Sequence, residues 1–511
     1  MTATKPNIIY ILADDMGYGD VSCLNENSKI QTVHLDQLAA GGCKFRDAHS
    51  TSAVCTPSRY SIITGRYNWR STLKQGVKWG YSKPLIEKGR LTSAAFLKQH
   101  GYHTACLGKW HLGWQWGLKT EAAEVDAGNE DTPNFEGEDI DFTQPISDGP
   151  VSVGFDYFFG ISASLDMAPY VYVENDRVTA QPDRIVPESG GKEMWRAGPI
   201  APDFEHREVL PLLTNKAVDY VDRHANDDAP FYLYFPLPAP HTPILPTDEF
   251  IGKSGTNSYG DFCLQVDDLV GQLMAALERN NIVDNTIFIF TSDNGCSNRV
   301  DFEELASFDH QPSYIFRGHK ADIYEGGHRI PLIVRWPTTI EAGTASDETV
   351  CLVDFLATCA DILDDTLPED AAEDSVSNLP LWRGETLDST LREATVHSSM
   401  DGSLSIRKGR WKLEMCPGSG GWSYPKPGPE CEGLPPLQLY DLDADIGERN
   451  NITSEQPAIV EELTELLTRY IRNGRSTPGT AQQNTGEVIW PQLWLLSEGQ
   501  GNYDYLALLG Y

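Results

Sequence analysis

Asn7-Ile-Ile-Tyr-Ile-Leu-Ala13 is a short apolar run that ends abruptly in Asp14-Asp15. A run of this length, rich in β-branched residues and lacking polar alternation, reads as a strand buried on both faces. Three further runs have the same form. They are His103–Leu107 before Gly108-Lys109-Trp110-His111, Phe231–Leu237 before Pro240-His241, and Thr286–Phe290 before Ser292-Asp293-Asn294-Gly295. Helical patterns lie between them at Leu91–Gln99, Leu213–His224 and Asp261–Arg279, the last with Phe262, Val266, Leu269, Val270 and Leu273 on one face. The alternation predicts an α/β domain built on a mostly parallel sheet. Ligands in such sheets bind beyond the carboxyl ends of the strands, which is where the reactive residues fall.

The 511 residues suffice for a large domain and a smaller one. We expect a catalytic domain over 1–390, with an acidic, Gly/Pro-containing surface insertion at 119–150. An irregular acidic stretch around 365–395 then leads to a small α+β domain over 391–511. In that domain Ser403–Leu413 reads as two strands around a Lys408-Gly409 turn, Leu437–Leu442 as a third, and Pro457–Arg472 as an amphipathic helix. The formal net charge of −34 argues against general binding to nucleic acid or to an anionic membrane. No apolar stretch has the ~18 residues of a membrane span. The start shows no signal peptide, so the expectation is a cytoplasmic protein if the chain is full length, and a periplasmic or secreted one if a leader was removed. Ten cysteines are scattered without a C-x-x-C pair. Cys416 and Cys431 flank a Pro/Gly-rich loop and are either a disulfide or two thiols.

Cys55-Thr56-Pro57-Ser58-Arg59, followed by Thr64-Gly65-Arg66, is the most specific signal. Pro57 suits the first turn of a helix, which puts Cys55 at a helix N-terminus, where backbone N–H groups and the dipole favour an anion. The motif resembles the signature of the formylglycine-dependent sulfatases, and the resemblance extends along the chain. It implies the alkaline-phosphatase-like fold, a large mixed sheet between helices with a smaller C-terminal α+β domain. It further implies that a separate maturation enzyme oxidises Cys55 to formylglycine, whose hydrated aldehyde attacks sulfur.

The same resemblance supplies the other site residues. Asp14, Asp15, Asp293 and Asn294, with residue 55, match a calcium site, and hard oxygen ligands suit Ca²⁺. Arg59 supports the nucleophile. In Gly108-Lys109-Trp110-His111 the lysine matches a sulfate-binding group and His111 a histidine that supports the nucleophile. His241 matches a second active-site histidine and Lys320 a second sulfate-binding lysine. In the mechanism so implied we read His111 as the base of the second step and His241, with Lys320 beside the leaving oxygen, as the proton donor of the first. Ser164 matches a serine contacting the nucleophile, although Ser162 fits equally. His319 and His328 receive no role and read as supporting or surface residues.

Trp114 and Trp116, close behind His111, are candidate platforms for a sugar ring, and the Cys416–Trp422 loop is a candidate border of the pocket. The reading is therefore a sulfatase acting on a sulfated carbohydrate, a glycosaminoglycan or marine polysaccharide, or on an aryl sulfate. The alternatives are a phosphonate or phosphodiester hydrolase of the same superfamily, and a catalytically dead sulfated-glycan binding protein.

Overall fold

The computed structural model describes residues 5–120, 139–487 and 490–493. Its centre is a ten-stranded mixed sheet. Five neighbouring strands are parallel, in the order Thr286–Ser292, Asn7–Ala13, Phe231–Pro236, His103–Lys109 and Tyr157–Ile161. Every residue of Asn7–Ala13 is buried, as its unbroken apolar character requires. The sheet is extended on one side by Leu332–Arg335, Cys43–Phe45 and Thr344–Ser346, and on the other by Val173–Glu174 and Arg177–Val178. Leu332–Arg335 runs antiparallel to Thr286–Ser292, which makes the sheet mixed.

Helices pack around the sheet in two groups. Val209–His224 lies against Ser258–Arg279, which in turn contacts Val33–Ala40. The second group joins Cys55–Thr64 to Ser93–Gln99 and Phe355–Ile362. Cys55–Thr64 is buried along its whole length despite carrying Arg59 and several hydroxyls. It stops at Gly65, whose φ of 66° is left-handed and whose added Cβ would come within 2.8 Å of Ala372. Only glycine meets both conditions at low cost.

The C-terminal region forms a second, four-stranded antiparallel sheet in the order Thr395–Ser398, Leu404–Lys408, Trp411–Glu414, Gln438–Asp441. Lys408 faces Trp411 across the expected turn at Gly409, and the helix Pro457–Arg472 packs on the two middle strands. Thr395–Ser398 is a strand the sequence reading passed over, because four residues give too short a pattern. It matters for the site. The backbone N–H of Ala53 donates to the Ser398 carbonyl at 2.8 Å, so the small sheet abuts the loop leading to Cys55.

Of the expected insertion at 119–150, residues 121–138 lie outside those described. Its ends are held together, since Leu118 bridges Ile140 and Gln115 bridges Ser147. Cys416 and Cys431 are both free thiols, donating to the carbonyls of Gly418 and Lys426. Among the described residues no helix is long and apolar enough to cross a membrane.

Candidate active site

The carboxyl ends of the parallel strands converge. Asp14 and Asp15 follow Asn7–Ala13, Asp293 and Asn294 follow Thr286–Ser292, Lys109 closes His103–Lys109, and Ser164 follows Tyr157–Ile161. Cys55 enters from the side as the first residue of its helix, after an extended Val54 whose side chain provides no cap. The free N–H groups of that first turn therefore lie at the residue 55 side chain.

Hydrogen bonds knit these groups together. The Cys55 thiol donates to Asp14 Oδ1 at 3.6 Å. Lys109 Nζ donates to Asp14 Oδ2 and to Ser164 Oγ, both at 2.6 Å. Ser164, not Ser162, thus presents its hydroxyl to the site. Arg59 forks onto Asp293 Oδ2 at 2.8 and 3.0 Å and donates to the Lys109 carbonyl at 2.9 Å. Lys320 Nζ donates to Asp15 Oδ2 at 2.8 Å, and His241 Nε2 lies 3.6 Å from the same oxygen. His111 is anchored through Nε2, which donates to the Lys78 carbonyl at 2.6 Å because a carbonyl can only accept. Its Nδ1 is buried without a partner. Asp15 and His111 have φ near +60°, a backbone region that non-glycine residues rarely occupy and that clusters at functional sites.

Charge is concentrated here. Burial opposes ionisation of Asp14, but Lys109, His241, Arg59 and Lys320 outweigh it and hold the carboxyl well below its usual range. Burial, with the neighbouring charge of Asp14, pushes Asp293 up to about 6. It pushes the Cys55 thiol up to about 12, so the unmodified side chain stays protonated at neutral pH. Burial and the nearby Lys109 and Arg59 hold His111 well below the ordinary histidine range, as a neutral imidazole.

Cys55, His111, Ser164, His241 and Lys320 line one cavity of about 200 Å³. Asp14, Asp15, Cys55 and His241 offer ligand atoms within 4.8 Å of one another. The Asn294 amide donates to Asp15 Oδ1 at 2.7 Å, while its own Oδ1 is buried and unpartnered. Three carboxylates and an orphaned amide oxygen form a hard donor set able to hold a divalent cation.

Other expectations need correction. Trp114 and Trp116 are 1% and 4% exposed and do not reach the cavity. They pack edge-to-face on each other, Trp114 also on Phe158, and Trp116 donates to the Gly80 carbonyl. Core packing claims them because their area is large. Trp79 and Trp422 line the cavity instead, the latter from the predicted Cys416–Trp422 loop. Of the two readings left open for His328, supporting or surface, burial excludes the surface one: it is fully buried, 3.0 Å from His49. Asp166 and Arg196, also in the cavity wall, went unnoticed because neither carries a local motif.

A family model described as Sulfatase matches residues 6–365. The chain belongs to the sulfatase family. Its members are sulfuric ester hydrolases, and so is this protein. It is 35% identical to an N-acetylgalactosamine-6-O-sulfatase of Bacteroides thetaiotaomicron, over 91% of this chain and 92% of that one. The human N-acetylgalactosamine-6-sulfatase is 28% identical, over 95% of this sulfatase and 88% of its own length. Among solved structures, a Bacteroides thetaiotaomicron sulfatase from a study of glycosaminoglycan metabolism superposes with a TM-score of 0.78 at 35% identity, covering 91% of this chain and 99% of that one. A Ps i-CgsB structure in complex with k-i-k-neocarrahexaose, at 22% identity and a TM-score of 0.66 over 97% of this sulfatase and 98% of that chain, shares the fold.

Proposed function

We propose that this sulfatase removes O-sulfate groups from a sulfated carbohydrate of the glycosaminoglycan type, with 6-O-sulfated N-acetylgalactosamine as the leading candidate. The observation that carries the reading is the convergence of Cys55, Lys320, His111 and His241 on one cavity, with Asp14 and Asp15 beside Cys55 and His241 and Asp293 and Asn294 hydrogen-bonded to Asp15. The names of the relatives at 35% and 28% identity support the sugar.

The buried oxygens fit Ca²⁺, and Asn294 Oδ1 has no other partner. Cys55 is the residue for conversion to formylglycine by a maturation enzyme, since its own thiol is held protonated and is a poor nucleophile. Formylglycine supplies a hydrated aldehyde as the nucleophile, and Ca²⁺ supplies the positive charge that makes it acidic and polarises the sulfate.

The chain's own residues do the rest. Lys320, lining the cavity, and Lys109, hydrogen-bonded to the cavity-lining Ser164, hold the sulfuryl oxygens and stabilise the charge that spreads over them in the transition state. Arg59 fixes Asp293 and spans to Lys109, keeping the cationic set in register. His241 donates its Nδ1 proton to the Thr242 carbonyl at 2.5 Å, which leaves Nε2 to carry a proton to the leaving alcohol oxygen. His111 has Nε2 tied to Lys78, which leaves the Nδ1 lone pair to accept a proton when sulfate is released. The acidic surface does not prevent anion binding, because exposed charges are screened over ~8 Å at physiological salt while buried ones are not.

The test is free sulfate release by the mature enzyme from 6-sulfated and 4-sulfated N-acetylgalactosamine, alongside an aryl phosphodiester. We expect the 6-sulfate to be turned over fastest. Faster cleavage of the phosphodiester would assign the site to the other branch of the superfamily.

A further inference from the structure

The cavity wall carries a polar pair for which sulfate chemistry has no use. The segment Ser162-Ala-Ser-Leu-Asp166 begins where the strand Tyr157–Ile161 stops. It delivers Ser164 to Lys109, buries Leu165 in the core, and ends on Asp166. Asp166 is only 4% exposed. Its Oδ2 is gripped by Arg196 Nη1, while its Oδ1 is buried and has no hydrogen-bond partner. Arg196 is itself held in place. Its guanidinium lies 4.7 Å over the Trp79 ring, its backbone N–H donates to the Asp166 carbonyl at 3.1 Å, and its own carbonyl accepts the Tyr170 hydroxyl at 2.6 Å. Asp166, Arg196 and Trp79 line the same cavity as Cys55 and Lys320.

A buried polar atom left without a partner costs on the order of 1–3 kcal/mol, and more when charged. A carboxylate oxygen kept in that state in a cavity wall calls for an incoming donor. An ionised carboxylate only accepts, so the arriving group is not the sulfate. Arg196 only donates, and its side chain remains 37% exposed beside the carboxylate. A hydroxyl can satisfy both partners at once, giving its proton to Asp166 and accepting from Arg196. An amide N–H can satisfy only the first. The pairing therefore matches a sugar hydroxyl.

We propose that Asp166 and Arg196 select the sulfated sugar through one ring hydroxyl, which donates to Asp166 Oδ1 and accepts from the Arg196 guanidinium, with Trp79 backing the arginine. This rests on the sulfated-carbohydrate reading above and adds the element that distinguishes one sugar from another. A site built to bond a hydroxyl discriminates strongly against the analogue that lacks it, because its own polar groups are then left unpaired.

The experiment compares sulfate release from N-acetylgalactosamine 6-sulfate and from its 3-deoxy and 4-deoxy analogues, by the wild-type enzyme and by Asp166→Ala and Arg196→Met. The wild type should prefer the parent sugar over one deoxy analogue by ~10²-fold or more in kcat/KM. In Asp166→Ala that ratio should collapse to within a few-fold, with Arg196→Met intermediate. Each ratio is internal to one preparation, so partial loss of folded enzyme does not alter it. A wild-type ratio near one for both analogues, or a ratio preserved in Asp166→Ala, overturns the proposal. An aryl sulfate separates the two levels of the argument. Its turnover by the wild type together with flat sugar ratios overturns the hydroxyl selection alone. Failure to release sulfate from any ester overturns the functional reading and this proposal together.

Discussion

Around Cys55, three carboxylates, Asp14, Asp15 and Asp293, meet three cationic side chains, Arg59, Lys109 and Lys320. At the seam where the small sheet meets the large domain, four carboxylates, Asp47, Glu325, Glu414 and Glu448, meet three cationic side chains, Arg329, Arg407 and Lys412. Both sets are buried and each holds histidines: His111 and His241 in one, His49, His328 and His397 in the other. The difference lies in where the charges point. The Cys55 set opens into a cavity, although both sets hold atoms without a hydrogen-bond partner, Asn294 Oδ1 and His111 Nδ1 in one, Glu325 Oε1 and His397 Nε2 in the other. At the seam Arg407 holds Asp47 by two bonds of 2.7 Å, Lys412 holds Glu448 at 2.7 Å, and the rings of His328 and His397 stack at 3.9 Å. The lesson is that buried charge does not by itself mark a reactive centre. Access to a cavity does.

Substitutions separate the two regions. The largest effect should come from Cys55→Ala, which removes the nucleophile and should lower kcat by ~10⁴-fold or more, with circular dichroism unchanged. Lys412→Met strands Glu448 and Glu325 in the seam and should cost about 3–5 kcal/mol of stability, read by denaturant unfolding. A Lys412→Met enzyme that stays fully stable but loses turnover would make the seam functional and break the comparison. Lys320→Ala withdraws one positive charge from the cavity and should lower kcat/KM by ~10²–10³-fold.

The smallest effect is a pH dependence. Burial depresses His49, and burial with neighbouring cations depresses His328 and His397 well below the ordinary histidine range. The folded state therefore holds them neutral, while the unfolded chain takes up protons below about pH 6.5. Their contribution to stability is complete above that pH. It is lost as the pH falls, by up to about 1.4 kcal/mol per pH unit for each ring. Thermal unfolding at pH 7 and pH 5 checks this, and a His397→Asn variant should show a shallower decline. An unchanged slope in that variant would remove His397 from the account.

Much of the Cys55 region could be read from the sequence because it is locally encoded. Each strand is a compact apolar run, and Asp14, Lys109 and Asp293 follow within a residue or two of its end. The seam could not be read, since Asp47, Glu325, Lys412 and Glu448 are scattered over four hundred positions and share no spacing. Asp166 was hidden for the same reason, as one acidic residue in a loop. Trp114 and Trp116 misled because sequence proximity to His111 says nothing about which way a ring turns. Helix Pro457–Arg472 matched residue for residue because its sixteen positions give a full amphipathic pattern between a proline and a polar stop.

The central claim is that Cys55, placed at a helix N-terminus against Asp14, becomes the nucleophile only after oxidation. Mass measurement of the peptide carrying residue 55, from active enzyme made in the native host, tests it most directly. The account predicts a peptide lighter by ~18 Da than the cysteine form, as conversion of the thiol to an aldehyde requires. An unmodified cysteine throughout a preparation with full sulfate-releasing activity would contradict it.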